Sequence, residues 1–276
     1  ELARQDLWSL LPVALTAFLL SATIPLIAFP LLRGPVGLPR ADAASIAAHY
    51  GSVSVVTFAV AQSVLARAGV AAPPEFAVLV AIMEAPGIVV GILLARGVSG
   101  GVSGGVSGGQ GPSAGWGALL HDALFGKAVY LLLGGLLIGA LVGEAGMAPL
   151  RPLFGDLFRG ALALFLLEMG LVAGGRLGDL RRAGPRLVAF GLLAPLLFGA
   201  IGLGAGLALG LGAGGVTLLA TLAASASYIA APAAMRVAVP EANPALSIGV
   251  ALGVTFPFNV TIGVGLYLWL AQRLTS

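Results

Sequence analysis

ASASYIAAP, residues 224–232, is the stretch from which the architecture of the chain follows. It lies inside an otherwise apolar segment of membrane-spanning length. Yet Ser225, Ser227 and Tyr228 place polar groups at membrane depth, and Pro232 removes a backbone donor, so nearby carbonyls lose helical partners. Such backbone survives in a bilayer only against protein or a water-filled cavity. The device recurs in HYGSVSVVT, residues 49–57, where Ser52 and Ser54 repeat the spacing of Ser225 and Ser227. Two interrupted hydrophobic segments in corresponding places of two halves point to a substrate site at the midplane of a secondary transporter.

The rest of the composition agrees. Of 276 residues, 59% are hydrophobic and only 9% charged, against about 25% charged in a soluble domain. Mean hydropathy is +1.05. This is the composition of an all-α polytopic membrane protein. The net charge of +3 is too small and too dispersed to indicate nucleic acid, and the absence of cysteine rules out disulfides. The first residue is glutamate and no signal peptide is visible, so an N-terminal portion is expected to be missing.

At about 20 apolar residues per span, eight hydrophobic segments are expected, at 7–32, 42–66, 76–96, 127–143, 157–174, 186–211, 215–238 and 245–271. Between the third and fourth, Gly-Val-Ser-Gly is repeated three times from Gly97 to Gly108. That composition cannot bury a core and makes a flexible linker. WGALLHDALF, residues 116–125, then suits either a short helix on the membrane surface or an extension of the next span. Segments one to three correspond to six to eight, because Ser54 and Ser227 precede Pro86 and Pro257 by nearly equal distances. The expected organisation is a first repeat at 1–96 with three spans, its two N-terminal spans absent from this chain. A linker region at 97–126 and a second, five-span repeat at 127–276 follow. An odd-numbered unit duplicated in tandem has inverted topology.

The basic residues orient this arrangement. Arg33, Arg40, Arg96, Lys127, Arg176, Arg181, Arg182, Arg186 and Arg236 collect on the linker side, and Arg4, Arg67, Arg151, Arg159 and Arg273 on the other. The bias puts the linker in the cytoplasm and the C-terminus outside.

Each interruption offers short hydroxyls and the backbone N–H groups of a half-helix start, which favour an anion. The plainer role for such serines is to let helices approach closely. Among charges inside spans, Glu84 precedes Pro86 and is expected either to help hold a cation or to pair with a nearby basic or hydroxyl group. Thr255 and Asn259, in the corresponding place of the second half, offer neutral oxygens of the kind hard cations take. Glu168, in an unbroken segment, is expected to be structural. His49 is expected to be a hydrogen-bonded residue near the membrane interface, with a titrating role as the alternative. There is no transition-metal cluster and no Walker sequence, and no base is spaced to activate Ser52 or Ser225, so no catalytic residue is assigned and an enzyme is not expected.

Taken together, AAHYGSVSVVTF (47–58), MEAP (83–86), ASASYIAAPAAMR (224–236), PEANP (240–244) and GVTFPFN (253–259) resemble the sodium-dependent bicarbonate transporter family of bacteria. The likeness runs over nearly the whole chain in the right order. It implies ten spans in two inverted five-span repeats with crossed discontinuous helices, similar in fold to the bile-acid symporter and sodium/proton antiporter group. It also implies a sodium-coupled bicarbonate importer of the inner (cytoplasmic) membrane, a homotrimer, and a PII-like cytoplasmic regulator as partner. Bicarbonate contacts would fall on Ser54, Thr57, Ser225 and Ser227, with Ser52 adjacent. Tyr228 stands where cyanobacterial members have an acidic residue, and Glu84 where they have an aspartate. The candidate substrate set is thus Ser52, Ser54, Thr57, Ser225, Ser227 and Tyr228, and the sodium set Glu84, Thr255 and Asn259. The alternatives are a sodium symporter for a small organic acid and a membrane sensor or scaffold that does not transport.

Overall fold

The computed structural model describes residues 7–97 and 184–276 without a gap, together with 157–175 and scattered positions between 134 and 178. Among the described residues the regular structure is entirely helical. α1 is Leu7–Arg33, α2 Arg40–Gly51, α3 Val55–Arg67, α4 Phe76–Arg96, α5 Leu157–Gly175, α6 Pro185–Ala208, α7 Ala213–Ala224 and α8 Ala230–Ala238. α9 is the continuous run Pro244–Leu274, widened by π-type turns at Ala251–Thr255 and Asn259–Gly263. Five stretches are long and apolar enough to cross a membrane: Leu10–Arg33, Arg40–Arg67, Phe76–Arg96, Pro185–Ala208 and Pro244–Leu274. Helices also cover the expected segments at 157–174 and 215–238. The expected span at 127–143 lies largely outside the described residues, as do the Gly-Val-Ser-Gly linker and the 116–125 helix.

Both segments with serine pairs are interrupted. α2 ends at Gly51 and α3 starts at Val55, and α7 ends at Ala224 with α8 starting at Ala230. In Arg40–Arg67, 89% of the most apolar stretch is buried within the protein, against 33–50% in the other four spans. The broken segment is therefore the interior of the bundle and the others face outward. α7 packs on α3 and α8 on α2, so the broken segments pass each other in opposite senses and meet at their interruptions.

Lipid tails are as apolar as leucine, so close packing and hydrogen bonds hold such helices together. The end of α2 lies directly on α4. A Cβ on Gly87 would fall 2.2 Å from the carbonyl carbon of Gly51, and one on Gly51 would fall 2.3 Å from the Pro25 ring of α1. Gly91 continues the contact one turn on, against Ala48. Glycine at these positions is what lets three backbones reach the first interruption. Ser21 of α1 fastens them. Its hydroxyl accepts from the Gly87 amide at 3.0 Å and lies 2.8 Å from the Gly51 carbonyl and 2.9 Å from that of Met83, where Pro86 already disturbs α4.

One end of the bundle is tied by polar contacts. The Arg33 guanidinium donates to Leu38 O, Arg40 Nε to Leu94 O at 2.8 Å, and the Asn243 amide to Asp42 Oδ1 at 2.6 Å. Arg33, Arg40, Arg96 and Arg236 therefore sit at the same end, while Arg67 and Arg273 close α3 and α9 at the other.

Candidate functional site

The interruptions are built so that two helices begin at one place. Ser54 is the N-cap of α3, its Oγ accepting from the Thr57 amide at 3.2 Å. Ser227 plays a similar part from two residues before Ile229, the N-cap of α8, its Oγ accepting from the Ala231 amide at 3.2 Å. Serine suits such a position because its short side chain satisfies an amide that the helix cannot. The hydroxyl hydrogen of each cap remains free for another acceptor.

Two further bonds fix one interruption against the other. The Ser54 amide donates to Ser225 Oγ at 3.1 Å, and the Ser227 amide to the His49 carbonyl at 2.7 Å. Ser225 in turn donates from its hydroxyl to Leu222 O at 2.8 Å. Ser52, Ser54, Thr57, Ser225 and Ser227 are all buried. Ser225 is thus committed to the joint and the Thr57 amide to the Ser54 cap, while the Ser52 hydroxyl has no partner among the described residues.

Beside the joint lies a cavity of about 50 Å³ lined by residues 53–56 at the start of α3, residues 227–230 at the start of α8, and Glu84 of α4. About 10–15 Å³ suffices for a water, so it can hold a small ion with some hydration. Three observations define its chemistry. Two helix N-termini face it, each with a partial positive charge. The Tyr228 hydroxyl on its wall is buried beside the Ser54 side chain without a hydrogen bond of good geometry to any described residue, its ring packed edge-on to Phe256 at 5.3 Å. Glu84, 7% exposed, has neither an ion pair nor a hydrogen bond to any described residue. Val55 and Ile229, 44% and 60% exposed, form the rim.

A carboxylate at this depth is costly without compensating positive charge, which the two helix starts supply in part and a bound cation can add to. The cavity therefore suits a cation on Glu84 and an anion on the helix ends, side by side. Among the described residues there is no cluster of three or more His, Asp and Glu, so a cation here would rest on one carboxylate and neutral oxygens.

Ser54, Ser227, Tyr228 and Glu84 are brought together. Thr255 and Asn259 are not, since neither lines this cavity. Thr255 Oγ1 donates to Gly191 O at 2.8 Å, a carbonyl left without its helical partner by Pro195, and accepts from the Tyr50 hydroxyl. Asn259 Nδ2 donates to Ala224 O at 2.8 Å, the last carbonyl of α7. Both fully buried side chains satisfy backbone that proline and the interruption set free. His49 is buried at 0% exposure and, as expected, hydrogen-bonded, its Nδ1 lying 2.7 Å from the Ser45 carbonyl. Glu168 is on an exposed face of α5.

Three site-shaping residues escaped the sequence reading. Ser21 is a polar group inside an apolar span, which is itself a signal. Tyr50 packs edge-on to Phe190 and Phe198, and Tyr267 donates to Pro195 O at 2.8 Å. Both read as ordinary apolar positions until their partners are known. A separate cavity of about 560 Å³ between α3 and α5 is mainly apolar and is not lined by residues of the interruptions.

The family model of the Na+-dependent bicarbonate transporter superfamily matches residues 1–272 of the chain. No curated protein matches it.

Proposed function

The chain belongs to the Na+-dependent bicarbonate transporter superfamily, and from that premise we propose that it imports bicarbonate across the cytoplasmic membrane in symport with sodium. Membership of a transporter family points away from an enzyme. The observation that supports cation coupling is the buried carboxylate of Glu84, without a partner among the described residues, in the same cavity as the starts of α3 and α8. On this reading sodium sits on Glu84. Bicarbonate lies against the two helix starts, with hydrogen bonds from the hydroxyls of Ser54, Ser227 and Tyr228. Ser52, Thr57 and Ser225 shape the joint, and Thr255 and Asn259 hold the backbone behind it. A cavity of about 50 Å³ favours an anion of a few heavy atoms over a larger organic acid.

The opposite senses of the two broken segments support an inverted repeat with 127–276 as its second unit. The arginines gathered where the linker begins support a cytoplasmic linker and an external C-terminus. A homotrimer and a PII-like regulator complete the proposal on the family resemblance alone. The decisive measurement is uptake of labelled bicarbonate into proteoliposomes with and without an inward sodium gradient. Uptake that requires the gradient is expected. Uptake indifferent to sodium would overturn symport, and binding without uptake would favour a sensor.

A further inference from the structure

We propose a second ligand site on the arginine side of the interruptions, where a small oxyanion bearing one proton donates a hydrogen bond through that O–H to His49. A cavity of about 70 Å³ lies there between α2, α8 and the start of α9, lined by Ser45, His49, Pro232, Met235, Arg236 and Ser247 among others. His49 is wholly buried. Its Nδ1 lies 2.7 Å from the Ser45 carbonyl, and its Nε2 has no partner among the described residues. A carbonyl can only accept, so Nδ1 carries the hydrogen of the neutral ring and Nε2 is a bare acceptor. Arg236 on the same cavity has no hydrogen bond or ion pair to any described residue, and no carboxylate lines the cavity.

A buried acceptor beside a cation defines the ligand closely. The guanidinium takes oxygens that share negative charge, and the imidazole takes an O–H. Bicarbonate has both. Nitrate has the same charge and planar shape but no hydrogen to give, and carbonate has none either. The site therefore selects for the protonated oxyanion, a distinction that the N–H and O–H donors of the first cavity do not make. It also adjoins that cavity, because the His49 carbonyl accepts from the Ser227 amide. An anion leaving the helix ends toward the arginine end meets His49 next. Taking bicarbonate as the cargo rests on the function proposed above.

The full chain labelled with 15N-histidine, in lipid nanodiscs, tests this directly. His121 is the only other histidine, and its resonances are identified by their loss in His121→Asn. The Nε2 resonance of His49 should move on titration with sodium bicarbonate and stay still with sodium nitrate. In proteoliposomes, His49→Asn keeps a donor where Nδ1 was but removes the distal acceptor, while His49→Gln offers a carbonyl oxygen near the Nε2 position. Inhibition of bicarbonate uptake by nitrate should strengthen about tenfold in His49→Asn, the scale of one hydrogen bond, and remain near wild type in His49→Gln. An Nε2 resonance unmoved by bicarbonate at concentrations that saturate uptake would overturn the site, as would a shift of equal size with nitrate. Should His49→Asn fail to fold, the wild-type spectrum decides. A resonance that moves in a protein with no uptake would leave this site standing and remove the transport reading instead.

Discussion

The amide of Ser54 is held by the hydroxyl of Ser225, 3.1 Å across the joint between two segments that are 171 residues apart in the chain. This bond sets the register of one interruption on the other. Ser225→Ala removes the acceptor and leaves the Ser54 amide buried and unsatisfied, at a cost of about 1–3 kcal/mol. The expected result is a lower unfolding temperature of the purified protein together with weaker uptake. An unchanged unfolding temperature would mean that the joint is held elsewhere.

Ser54 and Ser227 each combine a helix cap with a hydroxyl hydrogen available to an anion, and substitutions can separate the two. Ser54→Ala and Ser227→Ala lose both, and should weaken bicarbonate binding tenfold to a hundredfold, corresponding to about 1.5–3 kcal/mol for a bond to a charged group. Ser54→Asp and Ser227→Asp keep a capping oxygen but offer a negative charge where a donor stood. They should keep the unfolding temperature closer to wild type than the alanine variants while abolishing uptake. Uptake surviving in the Asp variants would remove these hydroxyls from the anion site.

Tyr228→Phe keeps the edge-on packing against Phe256 and deletes only a hydroxyl that the folded protein leaves without a hydrogen bond of good geometry to any described residue. Stability should hold. If the hydroxyl donates to the anion, the KM for bicarbonate should rise about tenfold or more. A KM unaltered by the substitution would assign Tyr228 to packing alone.

Glu84→Gln preserves shape and removes the charge proposed to hold sodium. Sodium should bind more weakly, and bicarbonate with it, because a coupling free energy acts equally in both directions. Titrating bicarbonate binding at several sodium concentrations in wild type and variant measures this. Coupling retained in Glu84→Gln would place sodium elsewhere, while binding independent of sodium in the wild type would end the symport reading.

The interruptions were legible in the sequence because polarity and proline at membrane depth have few explanations. Seven of the eight expected segments fall on described helices for the same reason, with ends within a few residues. Ser54, Ser227, Tyr228 and Glu84 could be listed from local pattern, and the fold brings them to one cavity. Thr255 and Asn259 show where such reading stops. A buried hydroxyl or amide reads alike whether it faces an ion or repairs a helix, and only the third dimension shows Gly191 O and Ala224 O waiting for them. Ser21 and His49 teach the same point from the other side. What Ser21 touches lies on other helices, and His49 Nε2 meets no partner among the described residues, so no spacing along the chain encodes either.

The sharing of one cavity by Glu84 and the starts of α3 and α8 has an electrical consequence. Each helix end contributes about half an elementary positive charge, so the pair nearly cancels the carboxylate. With neither ion bound the pocket is close to neutral, and with one sodium and one bicarbonate it is close to neutral again. With either ion alone it carries a whole unbalanced charge, which low-dielectric surroundings penalise heavily. On the proposed symport of one sodium with one bicarbonate, only the empty and the doubly occupied protein would turn the pocket from one face of the membrane to the other at little cost. On that reading, leak of either ion would be suppressed by the field of the site itself, without a gate dedicated to the purpose. A cycle confined to those two forms moves almost no net charge, so a membrane potential imposed across proteoliposomes should leave the rate of uptake nearly unchanged.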